Sequence, residues 1–370
     1  MAGNKRIKGG RVARRWVIGM AAVVLVAAGY AYDMMSDAGV FRTLHPHFSG
    51  KCTAIGGVVG VEDITIDGGG IAYLSSHDRR LWMKTGKADG AIYLYRAGSH
   101  AEPIKLPNDY KKPFHPHGLS LWKGRDGAPD RLFVINHPEE SQKAMDPSTI
   151  TSQVEIFDIR DDGLHHIRTM KPDENYSLND VVAVGPDTFY ASIDKGSLSA
   201  IGKKLELWGR LPKGGIAYGT INGMRFLKDG LTYANGIQAS RDGKWIFVSE
   251  TTGQRVRAYA RDAETGALTE KASVDIPSGL DNIELADDGT LYIGAHPKLF
   301  AFTAHAKDPA KRSPSQVWKV SFDGKAFGKP KEVYLSDGNP LSGSSVAAPY
   351  KGGMLIGGVF DPLILDCDAR

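Results

Sequence analysis

Apolar and polar residues alternate along this chain in short runs, and the runs come in pairs. The first pair, DITIDGGGIAYLSS over residues 63–76, is an alternating run, a glycine turn, and a second run ending in small polar residues. Alternation of period two puts successive side chains on opposite faces of a strand, and Asp-Gly or Gly-Gly between two such runs marks a hairpin. The unit recurs at 118–122 with 131–137, at 180–192, 236–249, 282–294 and 345–357. From Ile64 to Val346 the spacing is about 56 residues per copy. Further strand-like runs lie between copies, at 91–95, 154–157, 255–259 and 316–320. Each period therefore holds two hairpins, and no amphipathic helix is expected in the body. The pattern predicts an all-β fold, a six-bladed β-propeller with four-stranded blades, whose ring leaves no long free sheet edge. A β-sandwich does not account for a repeat of this length.

One segment breaks the alternation. Residues 16–32 carry no charge, and residues 1–15 hold Lys5, Arg6, Lys8, Arg11, Arg14 and Arg15 with no acid. The propeller is thus preceded by an N-terminal hydrophobic helix. A basic flank before an apolar run is a membrane-entry signal whose flank stays in the cytoplasm. The length falls between a cleavable signal core of roughly 7 to 15 residues and a spanning helix of about 20. We read it as a signal-anchor, with cleavage near 29–31 or burial as a core helix as alternatives. The chain then divides into a basic cytoplasmic tail (1–15), a signal-anchor or transmembrane segment (16–32), a linker (33–49) and the propeller (50–370). The propeller is expected on the extracytoplasmic side, periplasmic or extracellular, membrane-anchored or secreted if the signal is cleaved.

Charge supports this division. The net charge of +4 includes the six cations of the tail; without them 40 basic residues face 42 acidic ones. A nucleic-acid binder carries its positive charge on the folded body, so no nucleic-acid partner is expected. Hydrophobic residues at 42% and charged residues at 24% exclude disorder and a polytopic membrane protein. Cys52 and Cys367, the two cysteines, lie at opposite ends of the body. In an exported chain they are either paired or two buried thiols. Nothing in the pattern specifies an oligomeric state.

Oxygen-bearing residues recur just ahead of the first strand in several repeats: Glu62-Asp63, Asn179-Asp180 and Asp281-Asn282, with Asn235 at the same place before Gly236. Innermost strands of a propeller line its tunnel, so equivalent positions converge on the axis. A single such pair is ordinarily a turn or cap, whereas pairs in register across repeats offer several hard oxygens to one cation. That donor set suits calcium and not zinc or copper. His117 opens the second repeat, His137 ends its second strand, and His296 ends the fifth repeat. His117 and His137 are either a general-base dyad or packing histidines. No Gly-x-Ser-x-Gly elbow is present, residues 68–70 form a hairpin turn with no helix after them, and 175–177 is a glycosylation sequon.

The motifs GVEDI (60–64), PHGL (116–119), VINHP (134–138), LNDVVAVGPDTFY (178–190), YANGI (233–237) and LDNI (280–283) resemble those of the serum paraoxonase/arylesterase family in order and spacing. The resemblance covers roughly residues 50–370. It implies a six-bladed propeller with two Ca2+ ions, one catalytic and one structural. It also implies a lactonase and aryl esterase with promiscuous organophosphate hydrolysis, acting on a small-molecule lactone or ester. Carried over by position, Glu62, Asn179, Asn235, Asp281 and Asn282 hold the catalytic ion. Asp63, Asp180 and the backbone carbonyl of Leu119 hold the structural one. His117 matches the general base and His137 its partner, while His296 and Asp194 match further active-site residues. Glu62 or Asp281 is the alternative activator of water. Cys52 and Cys367 match the pair that closes the family's ring, and an uncleaved hydrophobic N-terminus matches as well. One segment departs: 77–82 reads HDRRLW where an apolar pocket wall is expected. Two rivals remain, a gluconolactonase-like sugar-lactone hydrolase and a non-catalytic binding propeller with structural calcium.

Overall fold

A computed structural model describes residues 6–138 and 151–368; Lys5, the first cation of the basic tail, lies outside the described residues. Six antiparallel sheets follow one another along the chain. Their innermost strands are Val61–Ile66, Pro116–Trp122, Ser177–Gly185, Ala234–Ala239, Gly279–Leu285 and Ser344–Tyr350. Each packs against the next and the last packs against the first, closing the ring. This is the predicted propeller, and the sequence pairs fall on the first two strands of each blade.

Closure uses the N-terminal end of the body. Lys51–Ile55 forms the outer strand of the sixth blade beside Ile364–Asp368, in a register that sets Cys52 opposite Cys367, and the two are disulfide-bonded. The alternating faces bury themselves between neighbouring blades. Phe133 and Ile135 of the second blade meet Phe189 and Ile193 of the third, and Ile64 and Leu74 of the first meet Val346 and Leu355 of the sixth. Each such side chain is fully buried and contributes about 1.5–3 kcal/mol relative to exposure.

Two expectations need correction. The segment 33–49 does more than link: helix α1 runs Arg6–Asp37, past Tyr32, and His47–Phe48 adds a fifth strand to the fifth blade beside Lys331–Ser336. The body also contains short helices: α2 (Arg79–Thr85), α3 (Ala200–Gly209) and α4 (Leu299–Lys307). Each joins the second and third strands of a blade, in blades one, three and five. They are too short to show an apolar stripe, and local capping starts two of them. Asp78 accepts from Leu81 N at 2.9 Å, and Ser199 accepts from Gly202 N at 3.0 Å.

From Arg15 to Asp37, α1 is long and apolar enough to cross a membrane, and Trp16 through Val26 are exposed. Its far end docks on the propeller. Asp33 and Asp37 pair with Arg210, Tyr30 Oη donates to Trp208 O at 2.8 Å, and Leu299 N donates to Ala38 O at 3.0 Å. Gly39 turns the chain there at φ 73°; a Cβ would lie 1.9 Å from Pro297 O.

Candidate active site

The ladder slips in every innermost strand. Register shifts fall between Val61 and Asp63, Pro116 and Leu119, Leu178 and Val181, Ala234 and Ile237, Leu280 and Ile283, and Ser344 and Val346. A bulge leaves residues without a ladder partner and re-aims their side chains. Alternation alone would send adjacent residues to opposite faces. The slip is what allows Glu62 and Asp63, or Asp281 and Asn282, both to serve the tunnel.

Glu62, Asn179, Asn235, Asp281 and Asn282 are brought together and buried. Asn282 Nδ2 donates to Glu62 Oε1 at 3.0 Å and to Glu62 O at 3.0 Å, while Asn235 Nδ2 donates to Thr251 Oγ1 at 2.9 Å. Four side-chain oxygens of the group have no hydrogen-bond partner: Glu62 Oε2 and the Oδ1 atoms of Asn179, Asn235 and Asn282. Orphaned buried oxygens of this kind are costly. In Asn235 and Asn282 the amide nitrogen is engaged and the oxygen is left over, and Asn179 adds a third unpartnered oxygen, which is the donor set of a hard cation. Among the described residues no group of three or more His, Cys, Asp or Glu is arranged to hold a metal. The amides are therefore what extend the carboxylates to a calcium-type set, and the residues fit that ion.

Asp63 and Asp180 are buried and do not line the cavity. Asp63 accepts from Ile64 N at 2.9 Å and Leu119 N at 2.7 Å; Asp180 accepts from Val181 N at 2.7 Å and Ile237 N at 2.8 Å. Leu119 thus meets Asp63 through its N–H. Burial pushes Asp63 up to about 7, and burial with the neighbouring Asp63 raises Asp180 well above the carboxylate range. Glu62 is raised likewise by burial and then by Asp281 and Asp63. Glu284, which the sequence did not single out, is also buried and raised, with Asp63 as its neighbour. A tunnel of mutually repelling carboxylates is what a divalent cation relieves.

A cavity of about 600 Å³ contains Glu62, Asn179, Asn235 and Asp281 together with His117, His137, His296 and Asp194. The rings of His117 and His137 lie 5.1 Å apart, and His117 Nδ1 stands 3.7 Å from Glu62 Oε2. Burial, then the nearby Arg79, holds His117 well below the usual imidazole range, so it is neutral. His296 Nε2 lies 2.7 Å from Asp281 Oδ2, and its ring stacks on Phe302 at 3.9 Å. Asp194 is paired with Lys195, whose ammonium lies 4.5 Å from the centre of the Tyr233 ring. Trp82, Phe300, Phe302 and Phe360 supply apolar wall. The expected sites therefore converge on two adjoining groups. Sequence reasoning did not single out Glu284 and Lys195, and it reached Arg79 only as part of a departing segment. A charged residue at the end of an otherwise apolar second strand was the available signal for Lys195.

The family model Arylesterase matches residues 51–368. The chain belongs to the arylesterase family. With that membership comes an enzyme class, hydrolases of ester bonds. The chain is 30% identical to serum paraoxonase/arylesterase 1 of Homo sapiens, over 86% of this chain and 89% of that protein. It is 30% identical to serum paraoxonase/arylesterase 2 of Gallus gallus, over 95% and 98%. Among solved structures, a gluconolactonase of Xanthomonas campestris superposes with a TM-score of 0.53 at 14% identity, covering 88% of this chain and 95% of that one. A luciferin-regenerating enzyme gives 0.52 at 12% identity, covering 86% and 95%. At these identities the two structures speak for the propeller fold alone.

Proposed function

We propose that this arylesterase-family chain is a calcium-dependent hydrolase of lactones and aryl esters, using two ions, anchored by α1 with its propeller outside the cytoplasm. The observation that carries the reading is the set of unpartnered buried oxygens on Glu62, Asn179, Asn235 and Asn282. These residues and Asp281 would hold the catalytic ion, while Asp63, Asp180 and the carbonyl of Leu119 would hold the structural one. Calcium, when bound, polarises the substrate carbonyl and stabilises the negative charge that develops on its oxygen.

The chain's own groups do the rest. The His117–His137 pair takes a proton from the attacking water. Hydroxide adds to the carbonyl carbon, the ester C–O bond breaks, and the leaving oxygen regains a proton, giving acid and alcohol or, from a lactone, a hydroxy acid. His296 fixes the orientation of Asp281 through its Nε2 contact. The aromatic wall of Trp82, Phe302 and Phe360 excludes water and receives an acyl or aryl group. That apolar lining favours acyl and aryl substrates over polyhydroxylated sugar lactones. The test is turnover of phenyl acetate, a series of aliphatic lactones and a sugar lactone by the full-length protein in calcium. Aliphatic lactones and phenyl acetate are expected to lead; preference for the sugar lactone, or no turnover of any, contradicts the reading.

A further inference from the structure

Helix α1 ends in two neighbouring stripes. Asp33 and Asp37 stand four residues apart, as do Met34 and Ala38, so each pair shares one face of the last turn; Ala38 N still donates to Met34 O at 3.0 Å. The helix dipole disfavours acids at this end, and Arg210 offsets them by pairing with both. The carbonyls that a helix end leaves without partners are taken up by the propeller. Gln254 Nε2 donates to Asp37 O at 2.6 Å and Leu299 N donates to Ala38 O at 3.0 Å. Docked in this way, Met34 and Ala38 line the cavity that contains Glu62 and Asp281, together with Trp208 of α3 and Phe300 of α4. Trp208 and Phe300 are also exposed, so they mark the rim of that cavity, whereas Glu62 and Asp281 sit on its inner strands.

We propose that the last turn of α1 is a wall of the substrate cavity: Met34 is a specificity-determining residue that receives the apolar side chain of a lactone or ester, and Arg210 is the positioning residue that holds Met34 there. The inference rests on the hydrolase reading above. A thioether beside two aromatic rings offers an adaptable apolar surface with no polar group to satisfy. A substrate gains from it only when its chain extends from a carbonyl held at the inner strands out to the rim, so the gain grows with chain length. Each methylene buried against the wall raises kcat/KM about fourfold. The segment that serves as the anchor thereby takes part in choosing the substrate.

The test uses full-length, calcium-loaded protein in bilayer discs and γ-lactones whose side chain lengthens from methyl to octyl. The readout is the ratio of kcat/KM for the octyl over the methyl compound, because general damage to the fold or the metal centre lowers both and leaves the ratio unchanged. Met34→Ala is expected to lower that ratio about tenfold, and Met34→Leu to keep it. Arg210→Met should lower it as far as Met34→Ala does, and Arg210→Lys should restore part by keeping the charge. An unchanged ratio in Met34→Ala and Arg210→Met overturns the proposal. Met34 is also read without turnover, in protein labelled with 13C at the methionine methyls. The signal lost in Met34→Leu is expected to shift on adding 2-octyltetrahydrofuran, a ring ether that cannot be hydrolysed, and to stay in place with 2-methyltetrahydrofuran. No shift with the octyl ether overturns the proposal. Should Arg210→Met lose its cooperative melt, Met34→Ala and the methyl signal still decide. Absence of any ester or lactone turnover in the wild type defeats the hydrolase reading instead, and the methyl signal judges the wall independently.

Discussion

Glu62 concentrates two opposing effects in one side chain. It is buried beside Asp281 and Asp63, which repel its charge, and one of its oxygens has no partner. Glu62→Gln removes the charge with almost no change of volume. In chelator the variant should melt higher than the wild type, because a repulsive charge is gone. In calcium it should bind the ion at least about tenfold more weakly and lose turnover a hundredfold or more. Calorimetric titration and thermal melts read the two signs separately. The raised acids also set a pH dependence. A folded-state pKa of about 7 for Asp63, against an unfolded value near 3.9, means the folded state holds more protons between those values. Without calcium, stability should therefore fall as pH rises from about 4 to about 7, and calcium should offset that fall by displacing the protons. Circular-dichroism melts at pH 5 and 7.5, with chelator and with calcium, check it. The proposed ligand residues were legible because they recur at one place in successive repeats. Glu284 and Lys195 were not, since their meaning arises only where different blades meet.

The inner strands explain why recurrence worked. A strand of strict alternation could not offer adjacent residues such as Asn179 and Asp180 to one tunnel, and the ladder slip in each blade makes it possible. The hairpins were readable from period-two patterning, but the bulges were not, because one unpaired residue leaves no compositional mark. The three short helices escaped for a similar reason: at one to three turns, capping by Asp78 or Ser199 and contacts to the propeller outweigh any helical periodicity. Close approach of elements gives a sharper test. Gly118 lies where a Cβ would stand 2.3 Å from Asp180 Oδ1 and 2.5 Å from its Cα. Gly118→Ala must push the second inner strand from the third. The expected result is a melting temperature lower by several degrees and loss of one bound calcium per chain, read by melts and metal analysis; an unchanged calcium count would contradict the assignment of Asp180.

At the scale of the molecule, the ring is closed twice over, by pairing of Lys51–Ile55 with Ile364–Asp368 and by the Cys52–Cys367 bond across 315 positions. The repeat period made the propeller legible, whereas the pairing of the two cysteines needed the register to be known. Docking of α1 was not legible, because Asp33, Asp37 and Arg210 meet only once the ring is built. Everything functional in the account depends on one claim, that the converging oxygens of this ring exist to hold calcium for ester hydrolysis. The most direct measurement is turnover of phenyl acetate and an aliphatic lactone by the full-length protein in calcium, after chelation, and after calcium is restored, with circular dichroism recorded at each stage. Activity is expected to disappear on chelation while the β-sheet spectrum persists, and to return with calcium. Turnover that survives complete removal of calcium, or a folded, calcium-bound protein with no turnover, would contradict it.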